Sequence, residues 1–424
     1  MLECRTMAGI CLGVILATTG TAQAAGILSA GSGSFNSPGT WVGNIPPHEV
    51  QSTVSPGHTV TIDSNSPQPK FYFWDEGDGG GTVEVGPFNP AKTIIARGTN
   101  QKLEGDMNIR SGSFVRFGNE TGSNHFHMRG TNTTMTFEPS TEWFTDNADS
   151  RIFVFGSGNT IDVNGSASGD VDFGAGVGAA FNGIYLFGEN NTLDAEYANF
   201  HGAGRGILIN DGAINPTVHI KDSIFDGHTA SGGILFNENP NAYSLFERST
   251  FTNQQVRSIL NKSRVELIDA DLGGKTLGDL VIFSGASTSE RWAANYASST
   301  SGTYEILVAE TDDRISYQAF ATDPTLASDV VIRPNLSAYS PSDGHESSTS
   351  GQMILNADGF ANTITLDSVT LQLNGHTLWV NVLPDAGTMA FVDTSLGGSV
   401  SLIPEPASLA LVGLGGLALI RRRR

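Results

Sequence analysis

Hydrophobic and polar residues alternate in short runs along most of the chain, and each run closes on glycine, asparagine, aspartate or serine. Alternation with a period of two is the pattern of a half-buried strand. No long amphipathic pattern of helical period appears outside the two ends. The runs repeat. Arg151-Ile-Phe-Val-Phe-Gly-Ser-Gly-Asn-Thr-Ile-Asp162 aligns without gaps on Gly183-Ile-Tyr-Leu-Phe-Gly-Glu-Asn-Asn-Thr-Leu-Asp194, 32 residues downstream. The same frame recurs at Met128–Met135 and, more loosely, at Ala96–Leu103. In each copy a strand ends at a glycine (Gly98, Gly130, Gly156, Gly188), and a new strand is predicted to open at Leu103, Met135, Ile161 or Leu193. A second column places Phe200, Phe225, Phe251 and Leu272 at spacings of 25, 26 and 21 residues, with short strands between them. Two or three short strands per repeat form the rung of a solenoid. One rung cannot bury its apolar face alone, and stacked rungs can. The predicted fold is therefore all-β, a parallel β-helix with right-handed winding expected and an internal phenylalanine ladder.

The repeats also divide the chain. Residues 25–90 are expected to form an N-terminal cap and the first rungs. Within them, Thr40-Trp-Val-Gly-Asn-Ile-Pro-Pro47 and Val54–Asp63 resemble the lead-in of secreted bacterial β-helices and G8-like modules. Residues 91–275 form the regular β-helix. Residues 276–402 form a C-terminal β region of a few wide rungs or a small sandwich, with long strands at Thr363–Asn374 and Thr377–Leu383 and an exposed serine-rich loop at 337–350.

The two ends carry the longest apolar runs. Arg5, an apolar stretch from Met7 to about Ala17, and the small residues Ala22 and Ala24 before Ala25 make residues 1–24 a secretory signal peptide. Cys4 and Cys11, the chain's two cysteines, leave with it, so the mature body has no thiol or disulfide chemistry. At the other end stand Pro404-Glu405-Pro406, an apolar run from Ala407 to Ile420, and Arg421, Arg422, Arg423 and Arg424. The prolines hold the backbone extended. The run would span about 21 Å as a helix, short against a hydrocarbon core of about 30 Å. Terminal arginines favour retention on the cytoplasmic side.

This tripartite segment, residues 403–424, resembles the PEP-CTERM sorting signal of Gram-negative-type bacteria. The resemblance implies that an exosortase, a membrane-embedded cysteine protease-transpeptidase, cuts near Pro404-Glu405-Pro406. The short C-terminal helix would be a transient membrane hold. Together with the signal peptide it predicts Sec export through the inner membrane and delivery to the cell surface or extracellular matrix.

Charge narrows the partners. The formal net charge is −20, which repels nucleic acid and keeps the body soluble. Candidate chemistry is sparse. The Phe frame puts His201, Asp226 and Thr252 in one column, where His beside Asp suits general acid–base work. Asp211, Asp222 and His228 lie nearby in sequence, and Arg205 suits a uronate. Polar residues are expected beside turn glycines anyway, and Tyr197, Asp222, Arg248 and Asp269 would stack as ordinary surface pairs. The acidic run Asp75–Gly81 could bind Ca²⁺ through carboxylate and carbonyl oxygens, but it lacks the spacing of a specific Ca²⁺ motif and reads first as a solvated turn. His125 and His127 face one way without a third ligand. Phe71–Trp74 suggests a sugar-stacking platform with half its rings turned inward. No metal site and no cofactor are predicted. The sequence favours a non-enzymatic surface protein associating with exopolysaccharide, with a polysaccharide lyase or glycoside hydrolase, and then an adhesin, as alternatives.

Overall fold

The structure, a computed structural model, describes residues 27–44, 52–62, 70–71, 81–86, 93–96, 100–117, 125–145, 151–174, 183–202, 205–228, 233–254, 257–284, 292–296, 303–308, 310–314, 320–321, 324–334, 345–346 and 351–404. The expected signal peptide with Ala22, Ala24 and Ala25, the segment Glu405–Arg424, most of the acidic run at 75–81, the ring platform at 71–74 and the serine-rich loop, apart from its two-residue strand His345–Glu346, lie outside the described residues or their described side chains. Among the described residues no helix is long and apolar enough to cross a membrane.

The body is an all-β solenoid of about 9 turns. Each regular turn visits three sheets of eight, nine and 14 strands. One turn runs through Ala198–His201 in the eight-stranded sheet, Ile207–Ile209 in the nine-stranded sheet and Thr217–Lys221 in the long sheet. The next runs through Ile224–Asp226, Leu235–Asn237 and Tyr243–Glu247, each pairing in parallel with its counterpart. Sequence neighbours thus lie around a turn, and spatial neighbours lie one turn apart.

The interior is filled by columns of like residues. Trp143, Phe173, Phe200, Phe225 and Phe251 are in direct register. Their successive Phe rings stack at 5.1, 4.7 and 5.5 Å. The bridge between Thr250 and Asp271 carries the frame on to Leu272, which joins the same core. Where the long sheet turns into the eight-stranded sheet, Tyr197, Asp222, Arg248 and Asp269 all adopt positive φ, between 44° and 51°. A single left-handed residue turns the chain there in little space.

Two expectations of register are corrected. Leu103 does not open a strand after a corner glycine; it ends Asn100–Leu103 and pairs with Met128. The Ala96–Leu103 copy of the frame spans the corner between the eight- and nine-stranded sheets, one corner earlier than the other copies. The long strand expected at Thr363–Asn374 breaks into Thr363–Leu366 and Val369–Gln372, in different sheets, because Ser368 takes φ 56°.

The C-terminal part continues the stacking. Thr303–Val308 joins the long sheet by one antiparallel step, and Asp329–Pro334 and Thr363–Leu366 follow in parallel. Two smaller parallel sheets complete it around a second buried cluster. Its strands are wide rungs and not the two facing antiparallel layers of a sandwich. At the seam, Glu266 on the outer side of the long sheet is 3% exposed and accepts hydrogen bonds from the Tyr243 and Tyr304 hydroxyls. Burial raises the Glu266 carboxyl above its ordinary value, opposed by those two hydrogen bonds. A raised folded value favours the protonated form. Glu266 therefore contributes its full stabilisation below the unfolded carboxylate pKa of about 4.3 and loses it as pH rises through the folded value. Between pH 4 and 8 the stability of Glu266→Gln should fall less than that of the wild type in parallel urea titrations.

Candidate functional site

On the eight-stranded sheet the Phe column fixes which side chains face out. With Phe173, Phe200 and Phe225 inward, Asp172, Asn199, His201 and Asp226 emerge on the outer face. His201 pairs in register with Asp226 and Asp226 with Thr252, as the Phe frame requires. The imidazole lies between two carboxylates, with Nε2 3.7 Å from Asp172 Oδ1 and Nδ1 3.9 Å from Asp226 Oδ2. Both separations exceed a closed hydrogen bond, so these are ion-pair contacts. Asp226 is held by Thr252 Oγ1 at 2.8 Å and Asn253 Nδ2 at 2.7 Å. These donors lower its pKa and keep it ionised.

Asp172 is a member of this cluster that the sequence reading missed. Extending the Phe frame one turn upstream from Phe200 to Phe173 would have found it. It accepts from Asn199 Nδ2 at 2.8 Å. Interaction with His201, opposed by partial burial, lowers the Asp172 carboxyl, and Asp172 raises His201 above its ordinary 6.5. One turn earlier, Glu142 pairs in register with Asp172, and burial followed by repulsion from Asp172 raises its carboxyl. Two adjacent carboxylates thus have their proton affinities pushed apart, the arrangement general acid–base chemistry needs.

His201 stabilises the fold below its unfolded pKa, and that contribution is lost as pH rises through its higher folded value. Asp172 contributes above its unfolded pKa and loses that contribution as pH falls through its lower folded value. The pair is strongest between the two. Asp172→Asn should lower the His201 midpoint in an NMR pH titration, and an unmoved midpoint would detach the two groups.

The other candidates do not converge. Asp222 lies at the opposite end of the strand Ile224–Asp226 from His201's partner, and Arg248 grips it at 2.7 and 2.8 Å. That bond lowers its pKa and makes it a corner brace. Asp211 is exposed on the corner between the nine-stranded and long sheets, at residues 210–216. His228 is 1% exposed, and burial pushes it down to about 4, so it is neutral. Arg205 stacks over Phe236 at 3.9 Å on the nine-stranded sheet and does not join the His201 cluster. His125 and His127 do face one way, their rings 6.1 Å apart and 10° from parallel. Among the described residues no group of three or more His, Cys, Asp or Glu is arranged to hold a metal ion. The long sheet carries a second histidine between acids, His219, 2.9 Å from Glu247 and 3.4 Å from Asp194.

Towards the C-terminus the last strand among the described residues, Ser399–Leu402, pairs in parallel with Thr377–Val380, and Pro404 follows exposed two residues later. Residues 402–424 match the PEP-CTERM protein-sorting motif. The chain therefore carries the signal for exosortase-mediated export to the bacterial cell envelope or surface. A comparison with curated proteins returns no match.

Proposed function

We propose that this chain is a non-enzymatic β-solenoid of the cell surface or extracellular matrix of a Gram-negative-type bacterium, where it associates with exopolysaccharide. The carrying observation is that the sorting motif begins at Leu402, the last residue of the last strand among the described residues. The folded body thus reaches the processing point without a linker, and cutting after it would leave every turn intact. On this reading the signal peptide and the Sec machinery take the chain across the inner membrane, and the apolar run Ala407–Ile420 holds it there until an exosortase acts near Pro404-Glu405-Pro406. The terminal arginines then stay on the cytoplasmic side.

A second reading is favoured by the neighbouring Glu142, Asp172 and His201, whose opposed proton affinities suit a polysaccharide lyase or hydrolase. Against it, Asp226 is held ionised by its own neighbours and does not supply a proton-donating acid. Incubating the purified chain with a panel of neutral and acidic polysaccharides separates the readings. Binding with no fall in polymer length is expected. Depolymerisation that disappears in His201→Ala and Asp226→Ala would replace this reading with the enzymatic one. Activity surviving both changes would move the catalytic site elsewhere. Attachment to cells or solid surfaces with no polymer binding would favour an adhesin.

A further inference from the structure

The outer face of the nine-stranded sheet departs from what a solvent-facing solenoid surface requires. Phe126, Ile152, Ile184 and Met128, Val154, Leu186 fill the interior. Alternation then turns His127, Phe153 and Tyr185 outward in one register column. Phe155 and Phe187, just past the strand ends, stand beside them. These rings form one continuous cluster. Phe153 lies 5.3 Å from His127, 5.6 Å from Phe155 and 5.3 Å from Tyr185, and Phe155 lies 5.0 Å from Phe187. Phe153, Phe155 and Phe187 remain partly exposed, as does Phe236 two turns further on. His127 and Tyr185 are themselves buried, so the accessible part of the cluster is Phe153, Phe155 and Phe187, and partly exposed aromatic rings grouped in this way mark a binding surface.

The cations on this face are equally distinctive. Arg129 lies over Phe155 at 5.3 Å, Arg151 over Tyr185 at 4.8 Å and Arg205 over Phe236 at 3.9 Å. Three other described arginines do meet acids: Arg110 pairs with Glu84 and Glu138, Arg248 with Asp222, and Arg333 with Glu305. Among the described residues none of the three arginines on the ring face meets a carboxylate within ion-pair distance. In a chain of net charge −20, three guanidinium groups with no acid partner among the described residues, set over aromatic rings, are a built-in complement to an external anion. Arg129 also borders an open groove of about 460 Å³ between the corners at 104–106 and 129–133, lined by Glu104, Asp106 and Asn132. The groove exists because the first corner is shorter than the second.

We infer that this face, from Arg129 to Arg205, binds an anionic polysaccharide: rings stack on the C–H faces of the sugars, arginines pair with their carboxylates, and the groove's polar groups take hydroxyl protons. This rests on the polymer-association reading above and names where and with what class of polymer it occurs. A uronic-acid chain fits better than a nucleic acid, because Glu104 and Asp106 beside Arg129 repel a densely charged polyphosphate while accepting from hydroxyls.

Affinity electrophoresis of the purified full chain through gels containing polygalacturonate, neutral hydroxyethyl cellulose or oligo-dT tests this. Polygalacturonate should retard the wild type, and salt at several times physiological strength should abolish the retardation. The surface double variant Arg129→Ala/Arg205→Ala should weaken binding about tenfold or more, and Arg129→Lys/Arg205→Lys should recover only part of it. Phe155→Ala/Phe187→Ala should weaken it comparably, with an unchanged far-UV circular dichroism spectrum confirming the fold. Retardation by polygalacturonate that both alanine pairs leave unchanged would overturn this site while leaving polymer association standing. Equal binding of oligo-dT would overturn the ligand class. If no polysaccharide retards the wild type, the polymer reading itself fails, and this inference with it.

Discussion

Phe225→Ala should destabilise the protein by about 3–5 kcal/mol, the largest effect expected of any single substitution in the described body. Phe225 is fully buried at the centre of the ladder, stacked on Phe200 at 4.7 Å and Phe251 at 5.5 Å and meeting Phe246 edge-on at 5.7 Å. Removing the ring leaves a void that the neighbours cannot close, because each is fixed by a strand one turn above or below. The position also matters for cooperativity. In a solenoid each turn is stabilised by its immediate neighbours, so a defect in the middle weakens the coupling of the two halves. Urea unfolding followed by far-UV circular dichroism should show an earlier and broader transition. A loss below about 1 kcal/mol would mean that the ladder is loosely packed.

Asn159→Ala is expected to cost about 2–4 kcal/mol, for a reason unrelated to volume. Asn159 is 0% exposed at the corner between the nine-stranded and long sheets. Its Nδ2 donates to the carbonyls of Gly130 at 2.8 Å and Phe155 at 2.6 Å, and its Oδ1 accepts from the Thr133 amide at 3.0 Å. Asn191 repeats the pattern one turn on, and its Oδ1 accepts from the Asn159 amide at 2.8 Å. Alanine would orphan several buried backbone groups at once. Asn159→Asp should be worse at neutral pH, since a carboxylate cannot donate to the two carbonyls and would bring a charge into a fully buried site. Equal stability of the Asp and Ala variants across pH 4–8 would contradict this account of the corner.

The sequence made the interior legible and the exterior much less so. Phe200, Phe225, Phe251 and Leu272 announce themselves because an inward position tolerates little variation in size or polarity. Their spacing then brought His201 and Asp226 together correctly. Asp211 lies away from His201 because a turn has three faces and a short run along the chain reaches a different corner, whereas Asp222 pairs with Arg248 in the surface stack that its column predicts. The Ala96–Leu103 copy was misplaced because a short turn motif recurs at more than one corner. Ser368 hid a corner because the left-handed conformation signals itself through glycine or asparagine far more often than serine. The ring face was missed for another reason. In Ile152-Phe-Val-Phe155 and Ile184-Tyr-Leu-Phe187 both faces of the strand are apolar, so periodicity alone cannot tell which rings point outward.

The order of export, anchoring and release is the central claim, and it depends on what becomes of residues 403–424. Mass spectrometry of the C-terminal peptide of the chain recovered from its native cell envelope tests it most directly. The mature chain should end near Pro404, with no peptide containing Arg421–Arg424. Recovery of the surface-exposed protein with Arg424 still at its end would contradict it.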